Sequence, residues 1–168
     1  MTIEEIFSIA PFAWSEVATA ILCGVIVGLE RQLRGKPVGI RTSALIVLGT
    51  YLFIAVSTTL TNEVTDPSRI IGQIVTGVGF LGAGVMLAKD GMVVGVTSAA
   101  TIWALAAVGV CITIVGELVA IKLSIVIVLI LAGVDLLEDY SVWFTRGVHS
   151  QYSHWRQKSG RRRKKGLD

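Results

Sequence analysis

Charge is what this sequence has least of. Of its 168 residues only 16% are Asp, Glu, Lys or Arg, against 53% hydrophobic, whereas a soluble domain carries about a quarter charged residues. No charged residue falls between Thr42 and Asn62, between Ile70 and Ala88, or between Gly91 and Gly116. Histidine and cysteine are each present only twice. His149 and His154 stand near the C-terminus with no acid or cysteine beside them to complete a metal or nucleophile set. Cys23 and Cys111 lie in apolar segments, where a thiol stays protonated and unreactive. The expectation is therefore no disulfide, no metal site, no cofactor and no enzymatic centre. Other patterns are missing too. The alternating apolar residues of a membrane barrel are absent, as is any tandem repeat of 20 to 50 residues. The opening MTIEEIFSIA is acidic where a cleavable signal would be basic, so the first apolar segment is expected to remain as a span.

What is present is hydrocarbon length. About 20 apolar residues in a helix cross a bilayer, and the three uncharged runs meet that requirement. Pro11 to Leu29, carrying Glu16, and Leu118 to Leu137, carrying Lys122 and Asp135, qualify with charges near their ends. The predicted fold is all-α, a polytopic membrane bundle of five transmembrane helices over residues 1–138, followed by a flexible basic tail over 139–168. All but Arg69 and Lys122 of the 15 basic residues fall in the first loop, the third loop or the tail. With five helices these segments share one side, so the positive-inside rule puts the N-terminus outside and the C-terminus in the cytoplasm. The net charge of +3 is a topology signal on this reading, and no nucleic-acid partner is expected.

Glycine is abundant, at 18 residues. Gly77-Val-Gly79-Phe-Leu-Gly82 matches the dinucleotide fingerprint in form, but no strand precedes it and no acid follows near positions 97 to 102, so the context for a cofactor is missing. At helical spacing the glycines make better sense as packing surfaces. Gly72, Thr76, Gly79 and Ala83 share one face, and Gly24 and Gly28 form a G-x-x-x-G, the small-residue pattern that lets membrane helices approach closely. Helices one and three are accordingly predicted to form the tightly packed centre.

Polar residues concentrate at the basic side. Glu30 and Arg31 end helix one, Arg41 and Thr42 begin helix two, and Thr97, Ser98 and Thr101 begin helix four, with Thr97 or Ser98 as its N-cap. A lone acid at a membrane boundary needs a cationic partner, and Arg41 is the expected one for Glu30. In the second loop Asp66 reads as an N-cap and Pro67 as the first residue of helix three. Arg69 follows, and Gln73, one turn into the bilayer, is expected to hydrogen-bond another helix. In the tail, Arg161, Arg162, Arg163, Lys164 and Lys165, with Trp143, Phe144, Tyr152 and Trp155 upstream, suit a surface of anionic lipid headgroups.

The segments GLERQLRGKPVGIRT, DPSRIIGQIVTGVGFLGAGVMLAKDG and GVTSAATIWALAAVGV, in this order, resemble the MgtC/SapB family of bacterial inner-membrane proteins. The resemblance covers about Leu22 to Ile114 and implies a five-helix membrane domain in that membrane. It also implies a small regulator, linked to magnesium limitation or stress adaptation, that acts on itself or on other membrane proteins. Longer members add a soluble domain after the last helix. With about 30 residues there, a short member is expected. The alternative is a secondary transporter or channel for Mg²⁺ or another cation. Such a path needs hard oxygen ligands, commonly carboxylates, and helices two, three and four contain none, which favours the regulator.

Overall fold

The computed structural model describes residues 7–60, 67–89 and 92–140. Among these, five long helices run in order: α1 (Trp14–Leu33), α2 (Ile40–Thr59), α3 (Pro67–Gly84), α4 (Val96–Ile114) and α5 (Glu117–Tyr140). A short antiparallel hairpin, β1 (Leu87–Lys89) with β2 (Met92–Val94), joins α3 to α4. The protein is thus an all-helical membrane protein in its described part. Three of its segments, α2, α4 and Glu117–Val134 of α5, are long and apolar enough to cross a membrane. Helix α1 carries Glu16, Glu30 and Arg31, and α3 carries Arg69 and Gln73 among its glycines, which dilutes the apolar character of both. The expected cap Asp66, the turn at Asp90 and Gly91, and the tail residues Arg161, Arg162, Arg163, Lys164 and Lys165 lie outside the described residues.

The chain divides into two compact units at Ile130, and the packing that follows belongs to the first. Helix α2 is its centre. It packs most extensively against α1, next against α4, and least against α3, while α4 also receives α3 and α1. Small residues make these contacts close. A methyl group added at Gly24 would come within 2.6 Å of the Ala44 nitrogen, one at Gly28 within 2.6 Å of Ile40 Cα, and one at Gly109 within 2.7 Å of the Val47 carbonyl oxygen. Backbones so near gain dispersion contacts that lipid chains do not replace. The remaining interior is filled by Val27 of α1, Val47, Tyr51 and Ile54 of α2, and Ile102, Leu105 and Ile112 of α4, all essentially inaccessible.

Two expectations about the helices are corrected here. Helix three is not part of the packed centre. Gly72, Thr76, Gly79 and Ala83 are all exposed, and nothing lies within 4 Å of a methyl group placed at Gly72 or Gly79. The centre is α1, α2 and α4, because α1 and α2 are joined by a tight six-residue turn and zip together along their glycines, while α3 touches α2 only slightly. Helix α4, in turn, starts at Val96 and its N-cap is Gly95, with no side-chain cap. Gly95 adopts φ +93° with the Val85 carbonyl packed against its Cα, a conformation and a clearance that only glycine satisfies. Thr97 and Ser98 are therefore inside the helix and free for other roles.

These contacts predict opposite outcomes for two glycines of the same bundle. Gly28→Leu should destabilise the protein in detergent by roughly 1–3 kcal/mol or prevent folding, the range for overpacking a filled site. Gly79→Leu should leave the melting temperature of the single chain unchanged. Thermal unfolding of the two variants beside the parent measures both, and equal losses would mean that the α1–α2 contact is not the tighter one.

Candidate functional site

The first loop positions the basic end of the bundle. Helix α1 closes with the Lys36 amide donating to the Arg31 carbonyl at 2.9 Å and the Gly35 amide to Gln32 at 3.1 Å. Gly35 takes the left-handed conformation, φ +63°, as helix C-termini commonly require. Val38 is left-handed too, at φ +68°, a costly state for a β-branched residue. It is held there by burial and by the Ser43 hydroxyl, which donates to the Val38 carbonyl at 3.1 Å. The turn also presents Gln32 Oε1 to the Ile40 amide at 3.4 Å, giving a partner to an N–H that begins α2.

Two charged side chains project from the last turn of α1 into this end. Arg31 is only 3% exposed, and its guanidinium donates to Ser98 Oγ at 2.7 Å, Ser98 itself being 2% exposed. Arg31 Nε has no hydrogen-bond partner among the described residues. Glu30 pairs with Arg34 one turn on, Arg34 Nε lying 2.7 Å from Glu30 Oε1, with the glutamate side chain 8% exposed. The approach is close but off the N–H direction, so neither carboxylate oxygen has a proper hydrogen bond. A buried guanidinium held by a neutral hydroxyl, next to a buried carboxylate with vacant lone pairs, is an expensive arrangement, and intramembrane ionisable groups of this kind mark functional places.

Of the residues expected to gather at this end, the structure joins Arg31 to Ser98 and separates the rest. Glu30 takes Arg34 rather than Arg41 as its ion-pair partner, because (i, i+4) neighbours on one helix meet without any tertiary constraint. Arg41, Thr42 and Thr97 are exposed. Thr101 is buried, and its hydroxyl donates within the helix to the Thr97 carbonyl at 2.8 Å. Arg69 is exposed in the first turn of α3, and Gln73 is exposed on the same helix without the interhelical hydrogen bond expected of it among the described residues.

The opposite end holds a second constellation that the sequence did not announce. The Tyr51 hydroxyl, fully buried, donates to Glu16 Oε2 at 2.8 Å and accepts from the Ala13 amide at 3.3 Å. The Phe12 ring meets Tyr51 edge-on with centroids 6.2 Å apart. One turn along α1, the Thr19 hydroxyl donates to Glu117 Oε2 at 3.1 Å, tying the start of α5 to α1. Glu117 is the first residue of α5 rather than part of a loop. The glycines carried the missing signal. Gly24 meets Ala44 and Gly28 meets Ile40 in an antiparallel pairing whose residue numbers sum to 68, and Glu16 with Tyr51 sums to 67, so the register set by the G-x-x-x-G places the tyrosine within one residue of the acid's level.

Between α2 and α3 lies an apolar groove of about 700 Å³, running from Thr42 and Leu81 at the basic end to Leu60 and Ile70 at the other, with Gly49, Phe53, Gln73 and Gly77 along its length.

The profile of the MgtC family matches residues 17–140. The chain belongs to the MgtC family. Among curated proteins it is 48% identical over 107 residues to the "Putative magnesium transporter YhiD" of Escherichia coli K12, covering 60% of this chain and 49% of that protein. It is 46% identical over 101 residues to the uncharacterized protein slr0014 of Synechocystis, covering 57% and 42% respectively. Protein MgtC of Salmonella typhimurium LT2 is 42% identical over 107 residues, covering 64% and 45%. The chain thus aligns with less than half the length of each of these relatives. No solved structure matches it. The family match takes in Arg31 and Ser98 at one end and Thr19, Tyr51 and Glu117 at the other, and begins one residue after Glu16.

The geometry predicts which charges are coupled. Ser98→Ala should cost about 1–3 kcal/mol, since it strands a buried donor, and Arg31→Leu with Ser98→Ala should cost less than the two single losses combined. Glu30→Gln and Arg41→Gln should be additive, while Glu30→Gln and Arg34→Gln should not. Double-mutant cycles on detergent unfolding measure these couplings, and a strong Glu30–Arg41 coupling would contradict the geometry.

Proposed function

We propose that this MgtC-family protein is a multi-pass protein of the bacterial inner membrane, N-terminus outside and C-terminus in the cytoplasm, that regulates other membrane proteins, or itself, when magnesium is limiting. The observation that carries this reading is the exposed small-residue face of α3. Gly72, Thr76, Gly79 and Ala83 form a stripe left exposed among the described residues, and such stripes let helices associate in lipid. A face of this kind supports contact with a helix of another copy or of another membrane protein. The basic tail strengthens residence at an anionic leaflet on this reading, and the protein is not an enzyme.

The second reading is a cation transporter or channel. It is supported by the printed name of YhiD and by the buried charges of Arg31 and Glu30, since intramembrane ionisable groups often line ion paths.

One pair of measurements separates the two. With Cys23 and Cys111 replaced, a single cysteine at Gly79 should give cross-linked species in native membranes, whereas one at Ala44, facing Gly24 inside the bundle, should not. Liposomes containing the purified protein alone should show no Mg²⁺ flux above protein-free liposomes. Flux from the protein alone would establish transport and overturn the regulatory reading, and absence of any cross-link at Gly79 would remove its structural basis.

A further inference from the structure

The α2–α3 groove faces away from the small-residue stripe. On α3 its walls are Gln73, Gly77 and Leu81 among others, about half a turn around the helix from Gly72, Thr76 and Gly79. The two features therefore serve different neighbours.

What fits the groove follows from its shape, its length and the charge at one end. Helices α2 and α3 touch each other, so the groove is a crevice closed at its base, not a slot for a third helix of about 10 Å diameter. Its walls are apolar apart from a few hydroxyls and one amide, and Gly49 and Gly77, facing it near mid-length, leave open space where side chains would fill it. From Thr42 to Leu60 it measures about 27 Å along α2, close to the hydrocarbon thickness of a bilayer, about 30 Å. The half next to the basic end matches one leaflet's acyl chain. At that mouth Thr42 lines the groove, and Arg41 sits exposed one turn before Leu45, another groove residue. Arg41 is not itself a lining residue; next to Thr42 and one turn before Leu45, it stands at the edge of the mouth. Lys36 is exposed in the turn just before it.

We infer that this groove is a binding site for an anionic phospholipid, with one acyl chain between α2 and α3 and its phosphate held at the mouth by Arg41 and the Thr42 hydroxyl. The charge match decides the headgroup class: an exposed guanidinium and a nearby ammonium favour a net anionic lipid over a zwitterionic one. This accounts for the exposure of Arg41, which has a solvated or headgroup environment instead of the intramolecular pair with Glu30.

Native mass spectrometry in a mild detergent tests the inference, using phosphatidylglycerol and phosphatidylethanolamine of identical acyl chains. The parent protein should retain one phosphatidylglycerol per chain under activation that strips phosphatidylethanolamine. Arg41→Gln should lower that retention roughly fivefold, the effect of one basic residue at an anionic lipid surface, and Arg41→Lys should restore most of it. Gly77→Leu, which fills the crevice, should lower retention of both lipids. Arg41 is at the surface, so its variants test the site even if Gly77→Leu fails to fold. Equal retention of the two lipids by the parent, unchanged retention in Arg41→Gln, or displacement by excess inorganic phosphate would overturn the inference. So would efficient cross-linking between two copies through a cysteine at Phe53, which would assign the groove to a second chain.

Discussion

The close approach of α1 and α2 is the contact from which the rest of the structure follows. Gly24 and Gly28 let the two backbones meet at Ala44 and Ile40, at distances that no side chain allows, and the short turn through Gly35 and Val38 holds them in one antiparallel register. Period matters as much as proximity. Residues spaced by three or four along α1 face α2 together, so the register that seats the glycines also carries Glu16 to Tyr51 at one end. At the other end the last turn of α1 brings Arg31 to Ser98 on α4. A side chain at either glycine would separate the helices and move both polar ends at once.

Charge is tolerated in this bundle where a partner meets it. The Glu16 carboxylate has the Tyr51 hydroxyl, Glu117 has Thr19, and Glu30 has Arg34. In lipid an unpaired ionised group costs several kcal/mol even after snorkelling and water defects, so these pairings explain why α1 can be a helix of the bundle despite three charges along it. The incomplete pairing at Arg31 Nε and at Glu30 then stands out as the least comfortable spot in the interior. The same end holds the strained Val38 turn.

Helix α3 divides its surface between neighbours. One side closes on α4, where a methyl group added at Gly82 would come within 3.5 Å of the Ala99 carbonyl oxygen, one side forms the groove with α2, and the side carrying Gly72, Thr76, Gly79 and Ala83 is open. A helix held on one edge and open on two others is suited to contact other membrane components. In the proposed regulatory role, α3 supplies the contact and the α1–α2–α4 core supplies the rigid support.

The helical membrane class, the positions of the apolar segments and the meaning of the G-x-x-x-G at Gly24 and Gly28 were legible in the sequence, because hydrocarbon length, absence of charge and small-residue spacing are local properties that any bilayer enforces in the same way. That polar residues stand at the ends of α1, α2 and α4 was legible for the same reason. Which of them meet was not. Glu30 had Arg34 on its own side of the turn and Arg41 across it, and only the helical path of α1 through Leu33, four residues beyond the apolar segment, made Arg34 its neighbour. The stripe on α3 reads the same whether it packs within the chain or outside it, since spacing specifies a face and not what covers that face. That choice depends on the angle at which α3 leaves α2 and on the space α4 already occupies. Those are relations between helices, set by the whole bundle and carried by no single segment.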